Sequence, residues 1–285
     1  MDEDTLSTNR IEQVAEAVTE IGYSGIVKFD ETEPEYEFLT SAADEFDSDS
    51  HLALLSILAA TQDYQLAGDA QEFWRTLEET LLKYGKLESE SDVNNVLNDF
   101  LQEPVNARLR EQKQNRLIRM AENGFGEWFL ENYPDVDPIR VWEEIAEALE
   151  TEMDRKTVVI GVKIYDIFNL VVNGRYLELP TDVPIPCDLQ VERVAVTSGL
   201  TDTEDKSSVM EAWARVMQSV NDELEKPVSM LRIDSIVWQA GQIISKNDDQ
   251  RSASRYALQE HFDHVGLKEQ DGERLARELT VRLEA

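Results

Sequence analysis

Lys156, Asp188, Asp234 and Trp238 are the residues of this chain whose types and settings could do chemistry. In DRKTVVIGVKIYD (154–166) a tight turn at Asp154–Arg155 leads into an apolar helical pattern, so Lys156 opens a helix beside Arg155. Cations are disfavoured at that positive end of the macrodipole. The setting serves a solvated lysine poorly and an amine nucleophile well, because burial and neighbouring positive charge favour the neutral amine. In VPIPCDLQV (183–191) the prolines keep the chain extended and leave Asp188 to cap the next helix. An amine and a carboxylate in one pocket could attack an electrophilic carbon and stabilise cationic character at the transition state. In LRIDSIVWQAGQ (231–242) Asp234 and Trp238 lie four apart, on one helix face. Taken singly, each has a plainer reading: an exposed turn lysine, a helix N-cap, a core tryptophan.

Helical periodicity dominates the elements that must hold these residues. Residues 51–66 are apolar enough for a central buried helix. Residues 69–87 put Phe73, Trp74, Leu77, Leu81 and Leu82 on one face and stop at Gly85; 90–103 form a short amphipathic helix. Asp137-Pro138 is an N-cap and first-turn pair, and the helix from Lys156 stops at Gly174. Further helices are expected over about 207–225, 231–245, 250–263 and 270–284, and the only strand pattern is a short pair in 22–30. The expected class is all-α.

The 285 residues carry 59 Asp and Glu against 27 Lys and Arg, a formal charge of −32. Acids spread so evenly through a patterned globular sequence read as the surface of a halophilic protein. The single Cys187 excludes a disulfide framework, a thiolate metal cage and a cysteine-ligated iron–sulfur cluster. His51, His261 and His264 form no ligand pattern, so neither metal nor cofactor is expected. With neither an apolar span nor a signal segment, a soluble cytoplasmic protein is expected.

The three segments, in order, resemble the archaeal 8-oxoguanine DNA glycosylases of the helix-hairpin-helix class, over roughly residues 35–245. KTVVI resembles the family's K-T-x-V-F, PIPCD its P-I-P-V-D, at a separation of 32 residues, and DSIVW its D-S-I-x-W. The resemblance implies two helical lobes flanking a cleft within one glycosylase-like unit: an N-terminal lobe over 30–135, a helix-hairpin-helix lobe over 137–205, and C-terminal helices over 206–285 that pack back on the first lobe. It implies that Lys156 attacks C1′ of a damaged nucleotide, forms a Schiff base and then nicks the strand by elimination, with Asp188 as its acid. Pro186, Asp234 and Trp238 would shape the base pocket, Trp238 by stacking on the extruded base. YQLAGDAQEFW (64–74) places Trp74 on the pocket tryptophan.

Three positions depart from the pattern. Asp63 stands where the family has a base-contacting serine, Glu35 where it has a base-reading glutamine, and Ile160 where it has a phenylalanine. All three concern base recognition, so the lesion is less firmly implied than the reaction. Lys163, seven residues after Lys156, falls on the same helix face. The partner would be damaged DNA, bound by a monomer without a membrane. Arg108, Arg110, Lys113, Arg116 and Arg119 form a basic window in 106–120, against one acid, that suits the phosphate backbone. A glycosylase for another lesion, or a non-catalytic damage-binding module, would share these features.

Overall fold

The computed structural model describes residues 3–284, with side chains from residue 9 onward. Fourteen α-helices follow one another: α1 (Glu3–Ile26), α2 (Pro34–Glu45), α3 (Asp49–Ala60), α4 (Ala70–Tyr84), α5 (Glu90–Phe100), α6 (Arg110–Glu122), α7 (Phe125–Asn132), α8 (Pro138–Leu149), α9 (Lys156–Asn173), α10 (Leu189–Thr197), α11 (Lys206–Glu223), α12 (Met230–Lys246), α13 (Arg251–Val265) and α14 (Glu269–Leu279). Among the described residues the sole β feature is one isolated bridge, Gln250 to Glu284, so the class is all-α. Among the described residues no helix is long and apolar enough to cross a membrane.

The chain divides into two compact units, residues up to Thr32 with Thr181 onward, and Glu33–Pro180. The boundaries expected at 135/137 and 205/206 fall within these units, before α8 and α11. In the Glu33–Pro180 unit, α9 packs against α2, α3 and α8. Its residues from Val158 to Phe168 are buried almost without interruption, Ile160 being the half-buried exception. α3 is equally enclosed, with every residue from Leu52 to Ala60 buried. In the other unit α1 packs on α11 and α14, and α10 lies so close to α12 that a Cβ on Gly241 would stand 2.6 Å from the Gln190 carbonyl oxygen.

Several expectations are corrected. Residues 22–30 are not a strand pair: α1 kinks at Gly22 (φ +67°), runs to Ile26, and a 3-10 helix covers Val27–Thr32. The helix expected over 51–66 stops at Ala60, because Thr61 caps it and the chain turns into an irregular segment with Gln65 at φ +47°. α14 ends at Leu279 rather than 284. Leu82 is 49% exposed, since the buried stripe of α4 runs through Phe73, Trp74, Leu77 and Leu81.

Candidate active site

In the Glu33–Pro180 unit, Lys156 is the first residue of α9 and half-buried. The preceding Arg155 is extended and supplies no side-chain cap; its carbonyl accepts from the amides of Val158 (2.8 Å) and Val159 (3.0 Å). Two turns along, Lys163 is buried and pairs with Glu33, Nζ lying 2.9 Å from Oε1 and 2.8 Å from Oε2. That pair, 130 residues apart, was not expected from sequence, where Glu33 is one acid among many.

Glu35 and Asp63 come into this neighbourhood. Burial above all, and then the Glu33 carboxylate, holds the Glu35 carboxyl well above the usual range; Lys163 pulls it back and Asp63 pushes it up again. A raised folded-state value means that Glu35 contributes most to stability below its ordinary value, and that this contribution is lost as pH rises through the folded one. We therefore expect Glu35→Gln to raise the melting temperature by a few degrees at about pH 8, as about 1 kcal/mol does in a chain of this size. The gain should shrink as pH falls toward the ordinary carboxylate range. A melting difference that stays flat from alkaline to acid pH would show that Glu35 carries no excess proton.

Trp74 differs from an accessible stacking platform. It is 1% exposed, packed 5.5 Å from Phe38 and 5.3 Å from Phe73 between ring centroids. Its indole nitrogen is buried without a hydrogen-bond partner.

The basic window forms α6 and the turn before it. Arg108 and Arg119 are exposed, and Arg110 is half-buried, donating to the Gln102 carbonyl at 2.9 Å. Arg119 reaches the Leu149 carbonyl at 3.2 Å. Leu109, Arg110, Arg116 and Arg119 line an open cavity of about 690 Å³. Lys113 does not face solvent as a phosphate contact would. It is fully buried, 2.9 Å from Asn106 Oδ1 and 5.3 Å from the centre of the Tyr64 ring. Burial draws its ammonium down to about 8, with Asp63 acting in the opposite direction. A fully buried lysine cannot neutralise a backbone phosphate, so Lys113 is not a backbone contact.

In the second unit, Val183, Ile185, Pro186 and Cys187 are buried and the chain is extended up to Asp188. Asp188 caps α10 as its sequence suggested: Oδ1 accepts from the amides of Gln190 (2.9 Å) and Val191 (3.2 Å). Beside it the Cys187 thiol is pushed up to about 12, by burial first and then Glu192, with Asp188 and Asp234 adding to the effect. Asp188 and Asp234 both lie close enough to act on Cys187.

α12, which carries buried Asp234 and half-buried Trp238, is anchored by polar bonds to the Val27–Thr32 segment. Asp30, fully buried, accepts from Arg232 and from Ser235 Oγ (2.6 Å). Gln239 donates to the Phe29 carbonyl (2.8 Å), and its own oxygen meets Thr32 Oγ1 (3.0 Å) and His261 Nε2 (2.7 Å). Burial, and secondarily His264, lowers His261 to about 4, so it holds this bond as a neutral ring. Among the described residues no group of His, Cys, Asp or Glu is arranged to hold a metal ion.

A family model described as AGOG, N-glycosylase/DNA lyase, matches residues 15–274. This chain belongs to that family. The AGOG match begins before residue 35 and ends beyond 245, wider than the motifs alone suggested, and takes in α13 and most of α14. The chain is similar to the N-glycosylase/DNA lyase of Pyrobaculum aerophilum, with 23% identity covering 83% of this chain and 88% of that protein. It is similar also to that of Methanococcus maripaludis, with 24% identity covering 81% and 85%. A third similar protein is the N-glycosylase/DNA lyase of Methanopyrus kandleri, with 26% identity covering 66% and 72%. The fold matches the crystal structure of Pa-AGOG, the 8-oxoguanine DNA glycosylase from P. aerophilum, complexed with 8-oxoguanosine. The TM-score is 0.71 at 20% identity, covering 95% of this chain and 97% of the other.

Proposed function

We propose that this AGOG-family chain excises 8-oxoguanine from damaged DNA and then nicks the strand, with Lys156 as nucleophile. The neutral Lys156 amine attacks C1′, the bond from C1′ to the base breaks, and the departing base takes up a proton. The aminosugar opens to a Schiff base; loss of a C2′ proton then expels the 3′ phosphate. Asp188 stabilises positive charge on the sugar and helps move the lysine's proton. Pro186, Asp234 and Trp238 belong to the base pocket, with Glu35, Asp63 and Ile160 as this chain's own variants. Arg108, Arg110 and Arg119 meet the phosphate backbone. We place this enzyme in the cytoplasm as a monomer. The reading is carried by one observation: the family match covers residues 15–274, and within it Lys156 opens α9.

A second reading, the same reaction on another lesion, is favoured by buried Glu35, where the family pattern has an amide. A carboxyl group presents different donors and acceptors to a base edge. Borohydride trapping on duplexes carrying 8-oxoguanine, other oxidised bases or an abasic site, in concentrated KCl, separates the two. We expect the strongest covalent band of the base-bearing duplexes on 8-oxoguanine. A band on the abasic duplex with none on 8-oxoguanine would move the substrate elsewhere, and no band on any duplex would favour a binding module.

A further inference from the structure

Arg116 is held inward by three groups. Its Nη2 donates to Thr157 Oγ1 at 2.8 Å and to the Thr61 carbonyl at 3.3 Å, and its guanidinium carbon lies 5.3 Å from the centre of the Tyr64 ring. Thr61 is the C-cap of α3, where exposed carbonyls and the negative end of the helix dipole favour a cation. Thr157 is the second residue of α9, next in the chain to Lys156. The planar guanidinium therefore ties the end of α3 to the first turn of α9 in a fixed direction, which a lysine ammonium could not do. A phosphate contact, by contrast, needs its donors turned outward, and leaving these partners would strip Thr157 and the α3 terminus of a charge-assisted bond.

We propose that Arg116 is a positioning residue for Lys156: it clamps the first turn of α9 through Thr157 and does not serve as a DNA-backbone contact. The proposal rests on the reading of Lys156 as the nucleophile. A nucleophile displaced by about 1 Å loses on the order of 10²-fold in rate. Removing the clamp should therefore slow the covalent step at saturating DNA and leave affinity alone.

The test measures single-turnover trapping on an abasic duplex, together with the dissociation constant over a range of KCl. The variants are Arg116→Gln, Arg116→Lys, Thr157→Val and the double variant. We expect Arg116→Gln and Thr157→Val each to slow trapping at saturation by about 10- to 100-fold. The double variant should be no slower than the worse single one, because both changes cut the same link. Arg116→Lys should recover only part of the rate, and the salt slope of binding should match that of the unmodified protein. A phosphate contact would give the reverse, with an unchanged saturated rate and a slope shallower by about 0.9; that result, or strictly additive rate losses, overturns the proposal. Thr157→Val removes one hydroxyl from a half-buried site, so it keeps the test open if Arg116→Gln fails to fold. Absence of any trapped band with the unmodified protein would instead remove Lys156 as nucleophile, and the proposal with it.

Discussion

Replacing Lys156 with alanine is expected to erase the borohydride-trapped complex, slowing covalent capture by at least about 10³-fold, as loss of a nucleophile does in other covalent enzymes. The fold should be untouched. Lys156 is half-buried at the opening of α9, where the helix dipole disfavours a cation, and alanine has a helix propensity at least as high. Unchanged melting with lost trapping would separate chemistry from stability. DNA affinity should fall little, since one partly buried ammonium is a small share of the backbone contacts. The buried amines in the same unit are Lys163, tied to Glu33, and Lys113, whose burial draws it down to about 8. A trapped band that persists in Lys156→Ala and vanishes in Lys113→Met would transfer the chemistry to Lys113 and sink the assignment to Lys156.

Much of the positioning of Lys156 and Asp188 could be read along the chain because local rules decide it. Prolines at 180, 184 and 186 force an extended run, an aspartate after such a run caps a helix, and Gly174 ends α9 in the left-handed region at φ +66°. The polar interior could not be read this way. Lys113 and Arg116 sit in a strongly basic window, so their charge suggested solvent, and only partners distant in sequence reveal the burial. Arg116 meets residues 55 and 41 positions away, and Lys163 meets Glu33 across 130. The Arg232–Asp30 bond, which fixes α12, spans 202 positions. In a chain with 59 acids, no pattern singles out Glu33 or Asp30 as the buried ones.

Asp188→Asn should separate the two functions that one carboxylate combines. Asparagine is as good an N-cap as aspartate, and its side-chain oxygen can accept the amides of Gln190 and Val191 as Asp188 Oδ1 does. α10 should therefore remain capped, and melting should move by only a few tenths of a kcal/mol equivalent. The amide carries no charge to offset a cationic sugar and cannot take a proton. Excision of the base should thus fall by about 10²- to 10⁴-fold, the range that a positioned general acid or base supplies. Asp188→Ala removes the cap as well and should cost about 1 kcal/mol more in stability than the asparagine variant. The comparison is made with urea unfolding and single-turnover excision on the same preparations. If Asp188→Asn excises the base at an undiminished rate, the carboxylate is a helix cap alone. The charge at the transition state must then be offset by another group, and Asp234, which shares the surroundings of Cys187 with Asp188, is a candidate in that unit.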